Sequence, residues 1–385
     1  MKANIVLMTD IEYGLIILVL LLLFIFGLKK REEKVSFIPL NVDKDFSSAI
    51  KGVACVMILL SHYGKRAFGF DVPIPMSISK VVWWSSANIA LAWFMFFSGF
   101  GLSLKDDCKI VSIKKTWLLR IWKVYRPYII VVIVTLIIAF FLPDSFSLEE
   151  MRARIMSTKP HYMHHLTEAM NLTYIYGLVI HSSWYVECII WFYSIYYLSV
   201  WFSCKWSFNK TVVLSLLMLG YLIAAYYYFG SQEAHYYRYP CVFLVGHLAV
   251  RWRDAKWYGI SIASGVILLN LAIVGFMYVV WFIVALIGLF IFSIINTRYT
   301  VFGKGILFMG SISYFYYLSH VDIAWTLLCY TSIQSCLAWT VLSIIVAFLL
   351  YKFNIVLGKT SFEKKYERES CILPSNPQGQ REGEE

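Results

Sequence analysis

Apolar runs close to the length of a bilayer span recur along the whole chain, and they limit what it can fold into more than any other feature. The first, YGLIILVLLLLFIFGL at 13–28, carries no charge and is followed at once by KKREEK. A helix needs about 20 apolar residues to cross the hydrocarbon of a membrane. Only helices and closed barrels satisfy every backbone polar group there. The runs are continuous, without the alternation of barrel strands, so they predict helices. A second span surrounds 51–62, and others follow at about 86–104, 127–142, 184–203, 211–229, 238–250, 257–274, 276–295, 306–328 and 335–357, eleven in all. With 60% hydrophobic and 15% charged residues and a mean hydropathy of +0.67, the chain is read as an all-α polytopic membrane protein rather than a soluble domain.

The formal net charge of +11 does not indicate a nucleic-acid partner, because the basic residues form short runs between apolar segments. With the N-terminus outside, nineteen Lys and Arg fall in the expected cytoplasmic connections and eight in the outer ones, which satisfies the positive-inside bias and puts the C-terminus in the cytoplasm. Asp10 and Glu12, not cations, precede the first run, so residues 1–30 read as an uncleaved anchor. Residues 45–357 form the membrane core, and the charged 358–385 is expected to be a disordered cytoplasmic tail. Eight cysteines at scattered spacing suggest neither a disulfide framework nor a zinc site.

Within the core, Lys51 and His62 are the only ionisable pair in KGVACVMILLSH. Eleven helical steps carry His62 about 16 Å along the axis and only about 20° around it. An ionisable group at membrane depth marks a functional site by default. A snorkelling lysine and an end-capping histidine explain the same pattern, and both readings stay open. In LAWFMFFSGFGL, Ser98 sits beside Gly99 and Gly101, either as a polar site group or as part of a helix-packing notch. In KKTWLLRIWKVYRPYII, Lys115, Arg120, Lys123 and Arg126 precede the span opened by Pro127, and their charge suits either a phosphate-bearing ligand or anionic lipid headgroups. HSSWYVECIIWFY carries Trp184 and Glu187, an isolated intramembrane carboxylate and so a candidate cavity residue. SISYFYYLSHVDI brings Tyr314, Tyr317, His320 and Asp322 to the outer half of a late span. His247 reads as structural. His161 and His165 lie four apart in the long outer segment 143–183 but lack a further ligand, so a solvated loop is expected and no metal. The triplet at Asn171 matches a glycosylation acceptor by spacing alone.

In this order the motifs resemble acyltransferase family 3, polytopic membrane acyltransferases that modify carbohydrates and lipids. Lys51 takes the place of the family's Arg, which is separated by ten residues from the His matched by His62. MFFSGFGL, RIWKVYRPY, SSWYVECIIWFY and SISYFYYLSH are similar to later family segments. Lys51 and Lys123 both replace arginines, keeping charge but losing the planar fork.

The resemblance implies a ten-helix core, here with one extra N-terminal transmembrane helix, in a bacterial cytoplasmic membrane. It also implies acetyl-CoA or another acyl-CoA as donor, with no metal, and a hydroxyl of an exported carbohydrate or lipid-linked glycan as acceptor. His62 would be catalytic, as general base or acyl carrier. Lys51, Lys115, Arg120 and Lys123 would hold the donor's phosphates, and Ser98, Trp184, Glu187, Tyr314, Tyr317 and His320 would shape the acceptor side. The partners are thus acyl-CoA, a glycan and membrane lipids. The rival reading is a proton-coupled transporter or flippase of a lipid-linked sugar, using Glu187, Asp322 and the histidines as a relay.

Overall fold

The computed structural model describes residues 2–32, 37–40, 42–68, 78–104, 112–141, 183–229, 235–252, 256–331, 335–361 and 363–364. His161, His165 and the Asn171 triplet lie outside them. The described elements are α1 (Lys2–Phe26), β1 (Leu28–Lys30), α2 (Lys44–Phe68), α3 (Ile78–Leu104), α4 (Ile113–Phe141), α5 (Ser183–Trp206), α6 (Lys210–Phe229), α7 (His235–Arg238), α8 (Pro240–Arg251), α9 (Trp257–Val274), α10 (Phe276–Arg298) and β2 (Tyr299–Val301). Then come α11 (Lys304–Ser319), a π-helical segment His320–Trp325, α12 (Thr326–Tyr330) and α13 (Cys336–Val356). The all-α polytopic reading holds.

Among the described residues nine helices are long and apolar enough to cross a membrane: α1 to α6, α9, α10 and α13. Two of the eleven expected spans depart from a simple crossing. The run at 238–250 is the twelve-residue α8, about 18 Å long against the ~30 Å of hydrocarbon. It is apolar because protein covers it: Pro240 to Leu244, Gly246 and His247 are all buried. The run at 306–328 passes from α-helix into the π segment over its last third, at His320–Trp325. Pro127 does not open a span but lies inside α4, which runs unbroken from Ile113. A proline inside a helix disrupts the carbonyls one turn back, and here the Val124 carbonyl accepts a 2.9 Å bond from the Tyr314 hydroxyl of α11.

Two crossings organise the core. Along α2 and α11, side by side and in the same direction, partners stay 258 residues apart. A Cβ on Gly52 would stand 2.9 Å from the Gly310 nitrogen, Cys55 Sγ donates to the Ser313 carbonyl at 2.9 Å, and His62 reaches His320. Small residues at Gly52 and Gly310 allow that approach, as at close contacts between membrane helices. α3 runs antiparallel to α2, with Ser86 and Ser61 donating to the Met57 and Trp83 carbonyls at 2.8 Å. Its Gly99 faces the Phe243 carbonyl, and Gly246 of α8 faces the Phe96 carbonyl. At the end of the molecule near Lys44, β1 pairs antiparallel with β2, Leu28 opposite Val301, and Arg31 is ion-paired with Asp43. Where α9 turns into α10, Gly275 holds φ at +85°, a conformation glycine adopts without steric cost.

Candidate active site

At the far end of the α2–α11 contact, His62 Nδ1 and His320 Nε2 are 2.8 Å apart. The ring planes lie within 7° of parallel with centroids 5.0 Å apart, a separation equal to the N···N contact plus one ring radius on each side. The two imidazoles therefore meet edge to edge through one in-plane hydrogen bond. His320 is fully buried and His62 half-buried. On its other side, His320 Nδ1 lies 2.8 Å from the Tyr317 carbonyl and 3.1 Å from that of Tyr316.

Carbonyls only accept, so His320 Nδ1 carries a proton, and in the neutral ring its Nε2 is the acceptor. His62 Nδ1 must then be the donor, which leaves Nε2 as the basic nitrogen of neutral His62. His320 also begins the π-helical segment, a local rewinding frequent at functional sites. Its own carbonyl accepts a 2.6 Å bond from the buried Trp339 indole of α13.

The dyad is walled by aromatic rings. Tyr317 packs 6.1 Å from His320, 4.9 Å from Tyr185 and 6.3 Å from Phe94. Tyr128 of α4 is buried within electrostatic reach of both Glu187 and Asp322. Glu187 accepts a 2.7 Å bond from the Tyr236 hydroxyl. Trp184 stacks on Tyr239, 6.2 Å away and tilted 19°. Tyr314 is tied to α4, so its hydroxyl serves a helix contact.

Nearer the ribbon end, Lys51 Nζ lies 5.5 Å from the Phe97 ring centroid, so Lys51 faces the protein interior and not lipid. Phe97 and Phe94 are one turn apart on α3, the first beside Lys51 and the second beside Tyr317, which packs against His320. Ser98 bonds to the Phe94 carbonyl at 2.9 Å and to Tyr193, while Gly99 beside it is the packing notch. Arg120 hydrogen-bonds Tyr197. Lys115 and Lys123 are exposed. Arg126 is bound to Glu363 at 2.9 Å and to the Asn354 carbonyl at 2.9 Å, so the first residues of the C-terminal segment pack onto the core.

Sequence reasoning missed two cations, Lys210 and Arg251. Both act electrostatically on His247, and Arg251 and Arg120 both act on Tyr196. Lys210 stands 5.5 Å over the Tyr196 ring, and Arg251 donates to the Ser103 carbonyl at 2.9 Å. No motif flags them, since each closes one end of a different helix and they converge only through the fold. Tyr128 and the turn Glu12–Tyr13 were missed for the same reason.

Comparison with known proteins gives a match between an acyltransferase domain family and residues 45–352. No curated protein and no solved structure matches.

Proposed function

The chain belongs to acyltransferase family 3 and is a multi-pass membrane acyltransferase, and from that premise we propose that it moves an acetyl or similar short acyl group from a cytoplasmic acyl-CoA to a hydroxyl of an exported glycan. The observation that carries this reading is the His62–His320 hydrogen bond, whose geometry leaves His62 Nε2 as a base. His62 Nε2 takes the acceptor hydroxyl proton as the oxygen attacks the thioester carbonyl. The C–O bond forms, the C–S bond breaks, and the departing thiolate recovers the proton from the imidazolium. While charged, His62 is held through Nδ1–H by His320 Nε2, and His320 by the Tyr317 carbonyl.

Lys51 and Arg120 suit the donor's phosphates, joined by Lys210 and Arg251, with Lys115 and Lys123 at the exposed mouth. The pantetheine arm is long enough to follow the rings of Phe97 and Phe94 over the ~16 Å from Lys51 to His62. Glu187, Asp322 and Tyr128 present the carboxylates and hydroxyl that recognise a sugar, with Trp184 and Tyr317 as flat apolar walls. The test is transfer of label from acetyl-CoA to glycan by the purified chain in liposomes. The reading predicts label on glycan hydroxyls. Glycan movement driven by a pH gradient without covalent change would overturn it in favour of a transporter.

A further inference from the structure

α1 lies outside the matched domain, and most of its length presents apolar side chains outward, Leu15, Leu18, Leu21 and Ile25 being 45–57% exposed. One stretch is the exception. Thr9 is 3% exposed and Tyr13 not at all, and Thr9 hydrogen-bonds Tyr63. The Tyr13 hydroxyl donates to the Leu60 carbonyl of α2 and bonds the Gly64 backbone. It thus spans the helical turn Leu60–Gly64, and His62 is the middle residue of that turn. Gly64 keeps the place open: a Cβ there would stand 3.1 Å from the Tyr13 oxygen and 2.9 Å from the Trp83 Cβ.

The neighbouring residue reaches the other histidine. Glu12 Oε2 accepts from the Cys336 N–H and Oε1 from the Ser335 hydroxyl, both at 2.7 Å. Cys336 and Ser335 begin α13, where unpaired N–H groups and the helix dipole favour a carboxylate. One turn along α13, Trp339 holds the His320 carbonyl. Trp339 also packs 6.0 Å from Tyr63, the residue that follows His62.

We propose that Glu12 and Tyr13 are positioning residues for the histidine dyad, Tyr13 acting on His62 through the Leu60–Gly64 turn and Glu12 on His320 through α13 and Trp339. This rests on the dyad being the reacting centre. A hydrogen bond between two rings on separate helices survives only if both helices keep their depth and rotation, and small misplacements at a reacting centre cost large factors in rate. From one turn of its own, α1 holds α2 directly and the His320 segment through α13.

The test uses the full chain in lipid nanodiscs, comparing the native protein with Tyr13→Phe, Glu12→Gln and, as a lipid-facing control on the same helix, Leu18→Ala. Three quantities are read: kcat and KM for labelled acetyl-CoA, the rate of His320 carbethoxylation by diethyl pyrocarbonate followed by peptide mass spectrometry, and the melting temperature. Tyr13→Phe is expected to lower kcat roughly tenfold or more with donor KM within twofold, and to expose His320 to faster carbethoxylation. Glu12→Gln should do the same to a smaller degree, and Leu18→Ala neither. Native kcat and carbethoxylation rates in folded Tyr13→Phe would overturn the proposal, as would a loss confined to melting temperature. His62→Ala run in parallel separates the two readings: if it keeps full turnover, the catalytic assignment fails, while the carbethoxylation rates still decide whether α1 positions the pair.

Discussion

His247 and His320 are both fully buried imidazoles, and the molecule uses them in opposite ways. His247 sits where α3, α6 and α8 converge, its Nδ1 2.7 Å from the Ser103 hydroxyl and its Nε2 3.1 Å from that of Thr211. Hydroxyls donate or accept as required, so either tautomer fits and neither nitrogen is committed to a reaction. His320 has a carbonyl on one side and another imidazole on the other, and that order allows one proton arrangement when both rings are neutral. A histidine held by two adaptable partners ties helices together. One held between a fixed acceptor and a second histidine sets the protonation of its neighbour.

The largest effect that would break this contrast is at His62. His62→Ala should lower acyl transfer by about 10²–10⁴-fold with the melting temperature little changed; equal losses in His62→Ala and His247→Ala would erase the distinction. His320→Phe keeps a ring but no acceptor for His62 Nδ1, and a kcat loss of roughly 10–100-fold is expected, smaller than for His62 itself. His247→Ala should behave in the reverse sense. Leaving Ser103 and Thr211 without the imidazole costs on the order of 1–3 kcal/mol, visible in thermal unfolding, while kcat per folded molecule stays within about threefold.

The smallest effect lies beyond the last spanning helix, at Glu363, the carboxylate paired with Arg126 of α4, and sharpens the comparison by showing ordinary titration. Burial pushes the Glu363 carboxyl up, but hydrogen bonds from the Thr360 N–H and hydroxyl, with the Arg126 guanidinium, outweigh it and hold the group below the usual glutamate value. The folded value being depressed, its contribution is complete above the ordinary glutamate pKa and fades as pH falls through the lower folded value. Limited proteolysis should therefore cut after α13 faster in acid, and Glu363→Gln should show that sensitivity already at neutral pH without loss of acyl transfer.

Much of this was legible in the residues. The spans at 257–274 and 276–295 emerge as α9 and α10 because lipid demands a single kind of residue over a fixed length. His62 and His320 stood out because a titratable group is rare at such depth. Their contact was not legible, since it depends on the α2–α11 register set by Gly52 and Gly310, far from both. The stretch 238–250 misled for a related reason: hydropathy records that a segment avoids water and not whether lipid or protein shields it. Glu12 was read only as a charge preceding the first apolar run, yet its carboxylate caps a helix 324 residues away. Long-range partners of that kind leave no local spacing to detect.

The account rests on His62 being protonated at Nδ1 by virtue of its bond to His320. Nitrogen-15 spectra of the chain labelled only in histidine, assigned with His62→Ala and His320→Phe, read this directly in nanodiscs at a pH where both rings are neutral. The account predicts Nδ1–H tautomers for both residues and a changed His62 signal when His320 is replaced by phenylalanine. An Nε2–H tautomer at His62, unaltered by that replacement, would contradict it.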